Sequence, residues 1–202
     1  MPNLYPAFER QEVVIHSPRH VRTFAELSDD EVAATAEAWD ARRGGGDGYL
    51  HALVNEGRAA GSSLPHSHSQ LIWLREPPPA VAGERTEALP ELLARDDLVV
   101  AERGPARAVV HAAGRLPYEC LVAAADGAVE TADALHLLRE LVRRLRAVEG
   151  PVAWNAWLHA GPRAHLELVP RLAVLAGVEL GAGIHVSTVA PEDAAAALRA
   201  VL

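Results

Sequence analysis

Asn55-Glu56-Gly57-Arg58-Ala59-Ala60-Gly61-Ser62-Ser63-Leu64-Pro65-His66-Ser67-His68-Ser69-Gln70-Leu71-Ile72-Trp73 runs from a polar loop directly into an apolar strand. Gly57 and Gly61 let the backbone approach a ligand closely. The loop amides, the Ser62 and Ser63 hydroxyls and the Arg58 guanidinium suit a phosphate. His66, His68 and Gln70 then recur every second residue. On a strand this period puts them on one face, with Ser67 and Ser69 on the other. Such a row holds a metal, presents a nucleophile beside hydrogen-bond donors, or is the polar surface of an edge strand. His-x-His alone favours a metal or a plain polar edge. A phosphate-friendly loop delivering into His-x-His-x-Gln shifts the weight towards phosphate chemistry.

Outward from this stretch, eight strands are predicted: Glu12–His16, Tyr49–Asn55, His66–Trp73, Leu98–Ala101, Ala108–Ala112, Glu119–Ala123, Val152–Trp157 and His165–Pro170. A helix over Asp29–Arg42 starts at a Ser28/Glu31 capping box and stops at Gly44-Gly45-Gly46. A second helix, Thr131–Ala147, carries a Leu/Val face, and a third starts near Pro191. Glu76-Pro77-Pro78-Pro79 cannot continue a ladder. The expected division is therefore a first half over 1–75, a connector over 76–97 and a second half over 98–202. Asn55 precedes His66 much as Asn155 precedes His165, so a strand–helix–strand–strand unit reads as used twice. In that alignment Glu167 replaces the middle histidine, leaving only the first copy chemically armed.

Composition narrows the chemistry. The 202 residues carry 19 basic and 27 acidic side chains, a net charge of −8, which disfavours nucleic acid as a partner. All the basic residues are arginine, so lysine-based covalent catalysis is excluded. The single Cys120 excludes an internal disulfide framework and reads as a packed core thiol. Trp39, Trp73, Trp154 and Trp157 read as core. No apolar run is long enough to span a membrane and no leader pattern opens the chain, so a cytoplasmic protein is expected.

Asn-x-Gly-x-x-x-Gly-x-Ser followed by His-x-His-x-Gln resembles the active-site signature of the galactose-1-phosphate uridylyltransferases, the transferase branch of the histidine-triad superfamily. Pro2-Asn3-Leu4-Tyr5-Pro6-Ala7, Ser17-Pro18-Arg19-His20, His165-Leu166-Glu167-Leu168-Val169-Pro170 and Ala176-Gly177-Val178-Glu179-Leu180 resemble further segments of that family. The resemblance implies an α+β fold of two tandem halves, each an antiparallel sheet with a covering helix. It also implies a nucleotidyltransferase that moves a nucleoside monophosphate from a nucleotide sugar to a sugar 1-phosphate through a nucleotidyl-histidine. His68 matches the nucleophile, with the His66 backbone carbonyl holding its other ring nitrogen. Gln70 matches the donor to a phosphoryl oxygen and argues for transfer over hydrolysis. Asn3, Asn55, Gly57, Ser62 and Ser63 match nucleotide contacts, and Arg58 is a further candidate. Tyr5 stands nearby as pocket wall or core. Glu179 matches a residue reaching the hexose of a neighbouring subunit, which implies a homodimer.

No cofactor is required for this chemistry. The family's structural zinc uses a cysteine pair and two histidines. His20 and His66 match the histidines, while the chain starts after the place of the cysteines. Four ligands close such a site, so zinc is expected to be lost, unless His16 or His51 helps; otherwise His20 and His66 hydrogen-bond to each other. A second family metal site maps onto His159, His165 and Glu167, with Glu84 as the acid. Two alternatives accompany the uridylyltransferase reading. One is an adenylyltransferase or phosphorylase using ADP-glucose or a dinucleoside polyphosphate; the other is a shortened, non-catalytic nucleotide-binding relative.

Overall fold

A computed structural model describes residues 1–44 and 48–201; Gly45 and Gly46 of the expected helix stop lie outside the described residues. The strands are β1 (Gln11–Ile15), β2 (Tyr49–Glu56), β3 (His68–Leu74), β4 (Val99–Arg103), β5 (Ala106–Val110), β6 (Cys120–Ala124), β7 (Trp154–His159) and β8 (His165–Pro170). They form one antiparallel sheet in the order β1-β3-β2-β7-β8-β6-β5-β4. The helices are α1 (Asp29–Arg43), α2 (Pro79–Ala82), α3 (Leu89–Leu93), α4 (Thr131–Glu149), α5 (Gly177–Ala182) and α6 (Pro191–Ala200). Among the described residues no helix is long and apolar enough to cross a membrane.

The strand–helix–strand–strand unit occurs twice, as β1-α1-β2-β3 and β6-α4-β7-β8. The two antiparallel sets meet edge to edge through β2 and β7, where Leu53 faces Trp157 and Asn55 faces Asn155. The sheet is therefore continuous across the halves. The copies align differently from the expected pattern, because β3 opens at His68 and β8 at His165. His165 is thus the counterpart of His68, and Glu167 that of Gln70. A two-residue shift keeps every side chain on its face, so alternation alone did not separate the two alignments.

Alternate strand residues bury one face of the sheet against α1, α4 and α6. Leu71, Trp154 and Leu166 meet Val32, Trp39, Leu138, Leu141 and Leu198 there, each fully buried leucine contributing roughly 2 kcal/mol. α1 starts as its capping box requires: Ser28 accepts from the Glu31 amide, and the Glu31 carboxylate accepts from the Ser28 amide. Arg19 and Ser17 also bind Glu31 and hold its carboxyl far below the usual range. The opposite face is covered near β5 and β6 by α3, through Leu89 and Leu93 on Val109 and Leu121. His68, Gln70, Trp157, His159, His165 and Glu167 all belong to that opposite face. Cys120 is buried, and burial pushes its thiol up. Trp39, Trp73 and Trp154 are core as expected, but Trp157 is only half-buried and hydrogen-bonds to His159.

Candidate active site

β2 ends in Asn55 and Glu56, and the loop that follows returns to β3 past a groove of about 1020 Å³. Asn55, Gly57, Arg58, Ser62, Ser63, His66 and His68 all line it. Gly57 has φ +84°, and a Cβ there would lie 2.8 Å from the Ala153 Cβ, so glycine lets the loop pass against the segment that leads into β7. Asn155 on β7 donates from Nδ2 to Asn55 Oδ1 (2.7 Å) and to the Ala60 carbonyl (2.8 Å). This clamp fixes the loop and leaves the Asn55 amide protons free to face a ligand.

His66 departs from the expected row. It precedes β3, and its ring turns away, with Nε2 2.8 Å from the Arg19 carbonyl and Nδ1 3.1 Å from the Ser67 carbonyl. The turn has a chemical consequence, because the His66 carbonyl accepts from His68 Nδ1–H at 2.7 Å. That contact places the proton on Nδ1 and leaves the Nε2 lone pair for an electrophile. His68 is 5% exposed at the groove wall. Two residues on, Gln70 Oε1 accepts from Gln11 Nε2 at 2.6 Å. Gln11 Oε1 is itself fixed by the Ala7 amide at 2.9 Å, so the Gln70 NH₂ is left as a donor on the His68 face. Gln70 does not line the groove itself.

Sequence reasoning missed Gln11 and Asn155 as orienting groups. It also missed Arg22 and Arg146, which line the groove with Arg58. Among the described residues none of these three guanidiniums is in an ion pair. Glu56 is tied to Thr23 Oγ1 (2.5 Å) and the Phe24 amide (2.7 Å), and burial raises its carboxyl above the usual range. Glu26 lines the groove too, so three arginines stand against two carboxyl groups, an arginine excess suited to an anion. Two expected contacts lie elsewhere. Asn3 Oδ1 accepts from the Tyr5 amide beside an exposed Tyr5, and Glu179 caps α5 through the Ala176 amide. Neither lines the groove.

The two metal readings separate on donor chemistry. At His20 and His66 the rings lie 5.7 Å apart, and both His66 nitrogens face carbonyl oxygens. His16 is bonded to Ser67, and among the described residues no third donor joins the pair. This arrangement does not fit zinc. In the second half Glu84, His159, His165 and Glu167 bring ligand atoms within 4.8 Å of one another. His159 Nδ1 is 2.8 Å from Glu84 Oε2, and His165 Nε2 is 2.9 Å from Glu84 Oε1. Two imidazoles and two carboxylates fit a divalent cation. Trp157 N–H donates to His159 Nε2 at 2.5 Å, so without a cation Nδ1 carries the proton that Glu84 accepts. Arg115 binds Glu167 and Glu119, each at 2.8 Å.

Residues 6–78 match the galactose-1-phosphate uridyl transferase N-terminal domain. An ADP-glucose phosphorylase from Arabidopsis thaliana is 25% identical over 228 residues, covering 96% of this chain. The stretch carrying the loop and His68 is therefore similar to that domain, and nearly the whole chain is similar to the phosphorylase. The chain spans 65% of the length of that Arabidopsis relative. Solved structures share the fold. A solved structure of the Arabidopsis ADP-glucose phosphorylase with bound ADP-glucose aligns with a TM-score of 0.89 at 24% identity, covering 100% of this chain and 81% of that one. A uridylyltransferase structure aligns with a TM-score of 0.85 at 23% identity, covering 99% and 84%. The family segment ends just after β3, so it contains the loop, His68 and Gln70.

Proposed function

We propose that the chain is a nucleotidyltransferase that uses His68 as a covalent carrier, with a nucleotide sugar as donor and a phosphate as acceptor. The observation that carries this reading is the 2.7 Å bond from His68 Nδ1–H to the His66 carbonyl, which leaves Nε2 as the nucleophile beside an arginine-bearing groove. Nε2 attacks the α-phosphorus, a phosphorus–nitrogen bond forms, and the bond to the sugar-phosphate oxygen breaks. The sugar 1-phosphate leaves with that electron pair. In the second step an acceptor phosphate oxygen attacks the same phosphorus, and the electron pair returns to Nε2. The Gln70 amide and the loop amides stabilise charge on the non-bridging oxygens, while the arginines hold the outer phosphate.

The likeness to ADP-glucose phosphorylase favours an adenylyl donor and inorganic phosphate as acceptor, which yields glucose 1-phosphate and ADP. The family segment over residues 6–78 supports the second reading, uridylyl transfer from UDP-glucose to a sugar 1-phosphate. In either case Glu84, His159, His165 and Glu167 are the residues that would hold a divalent cation, which would supply positive charge between the connector and the strands β7 and β8. A homodimer bringing Glu179 of one subunit to the hexose of the other belongs to the same reading.

The test is incubation with ADP-glucose, UDP-glucose and dinucleoside polyphosphates, followed by intact-mass measurement at neutral to alkaline pH. A nucleotidyl adduct is expected in the wild type and is absent in His68→Ala and His68→Asn. Absence of any adduct and of any donor–product exchange in the wild type overturns the proposal. The donor that labels fastest decides between the two readings.

A further inference from the structure

We propose that His16 is a positioning residue for His68, acting through Ser67. This rests on the reading of His68 as the covalent carrier and extends it to a side chain outside the His-x-His-x-Gln motif.

The carbonyl that orients His68 belongs to the peptide joining His66 to Ser67. A trans peptide is planar, so its N–H and C=O point in opposite directions. The Ser67 N–H end donates to the Val21 carbonyl at 2.8 Å, while the His66 C=O end accepts from His68. The next peptide is also pinned, because the Ser67 carbonyl accepts from the His16 amide at 3.2 Å. His16 Nδ1 lies 2.8 Å from Ser67 Oγ and holds the side chain as well. Ser67 is thus fixed on both sides and at its hydroxyl, and the direction of the His66 carbonyl follows from that.

The cost of His16 points to a specific use. The ring is buried edge-on against Phe24, with centroids 5.1 Å apart, and its Nε2 has no hydrogen-bond partner among the described residues. Burial, then the neighbouring His68 and His66, push its pKa down to about 3, so the ring is neutral. A buried nitrogen without a partner is destabilising, because its desolvation is not offset. An apolar ring of similar shape would pack there without that cost. What imidazole adds is the contact to Ser67.

This separates a positioning role from a packing role. In His16→Phe, thermal stability is expected to hold or rise, while the rate of adduct formation from ADP-glucose falls about tenfold at an unchanged half-saturating donor concentration. His16→Asn keeps a polar group near the Nδ1 position; it is expected to lose stability yet stay within about threefold of the wild-type rate. Nitrogen-15 histidine spectra should show the Nδ1–H tautomer of His68 in wild type and in His16→Asn, and a mixture in His16→Phe. Should His16→Asn not fold, Ser67→Ala replaces it: it matches His16→Phe in rate, and the double variant adds no further loss. A His16→Phe enzyme with wild-type rate and tautomer, rates that simply follow stability, or additive losses in the double variant each overturn the proposal. If the wild type forms no adduct, the nucleotidyl-transfer reading fails, and the tautomer spectra still decide the role of His16.

Discussion

His68 and His165 open corresponding strands, and each directs Nδ1 to the carbonyl two residues earlier, at 2.7 Å to His66 and 3.0 Å to Arg163. The backbone device is the same in both halves; the charges around it differ. On the His68 side the residue two positions on is Gln70, a neutral amide whose oxygen is already occupied by Gln11. On the His165 side it is Glu167, and Glu84 reaches in from the connector towards Nε2. The first imidazole meets a groove where Arg22, Arg58 and Arg146, without ion pairs among the described residues, outnumber Glu26 and Glu56, while the second meets two carboxylates and Arg115. Histidine geometry alone therefore does not decide between a nucleophile and a proton or cation holder. The neighbouring charge does, because an anionic substrate is repelled by one surrounding and attracted by the other.

The most direct way to break this contrast is to write the second half's charge into the first. Gln70→Glu places a carboxylate where Glu167 stands in the other copy and removes an NH₂ donor. The expected loss in adduct formation is about 10²–10³, with little change in stability because the side chain remains half-buried at the same face. Single-turnover labelling with ADP-glucose measures it, and an activity within a few fold of wild type would mean that Gln70 is no phosphoryl donor.

The converse change tests whether the second half is a holding site. His165 is fully buried, and removing its ring leaves Glu84 with one imidazole fewer and a cavity beside His159. His165→Ala is expected to destabilise the fold by about 2–4 kcal/mol, read from denaturant unfolding, while adduct formation at His68 stays within about twofold. A fall in labelling comparable to that of His68→Ala would make the two halves chemically coupled and dissolve the contrast.

Much of this architecture was legible from local pattern. The eight β-branched or alternating runs became the eight strands, and Ser28 with Glu31 marked the start of α1. The loop glycines, Asn55 and His68 were drawn together because one continuous segment carries them all. What stayed hidden depends on contacts across long separations. Gln11 reaches Gln70 across 59 residues and Asn155 reaches Asn55 across 100, and no spacing rule connects them. His66 misled in another way. Period-two reasoning presumes a strand, but residues 66 and 67 lie ahead of β3, where the backbone aims a carbonyl at His68, so the His66 ring leaves the row. The short helix α5 went unread because its Gly-rich sequence carries no helical stripe.

The smallest expected effect concerns how each half responds to acid. The His68 half rests on a buried neutral imidazole, and His16, with a folded pKa of about 3, cannot take up a proton without opening. In the unfolded chain its pKa is about 6.5. Between these values the unfolded state binds the extra proton, so stability falls as pH drops. The contribution is fully present above about pH 6.5 and is lost at about 1.4 kcal/mol per pH unit below it. Lowering the pH from 7 to 5 should therefore cost the wild type about 2 kcal/mol through this residue alone. His16→Phe removes the titrating group, so its stability curve over that interval should be flatter by the same amount. Denaturant unfolding of both proteins at each pH measures the difference. Parallel curves would place the acid sensitivity in groups other than His16.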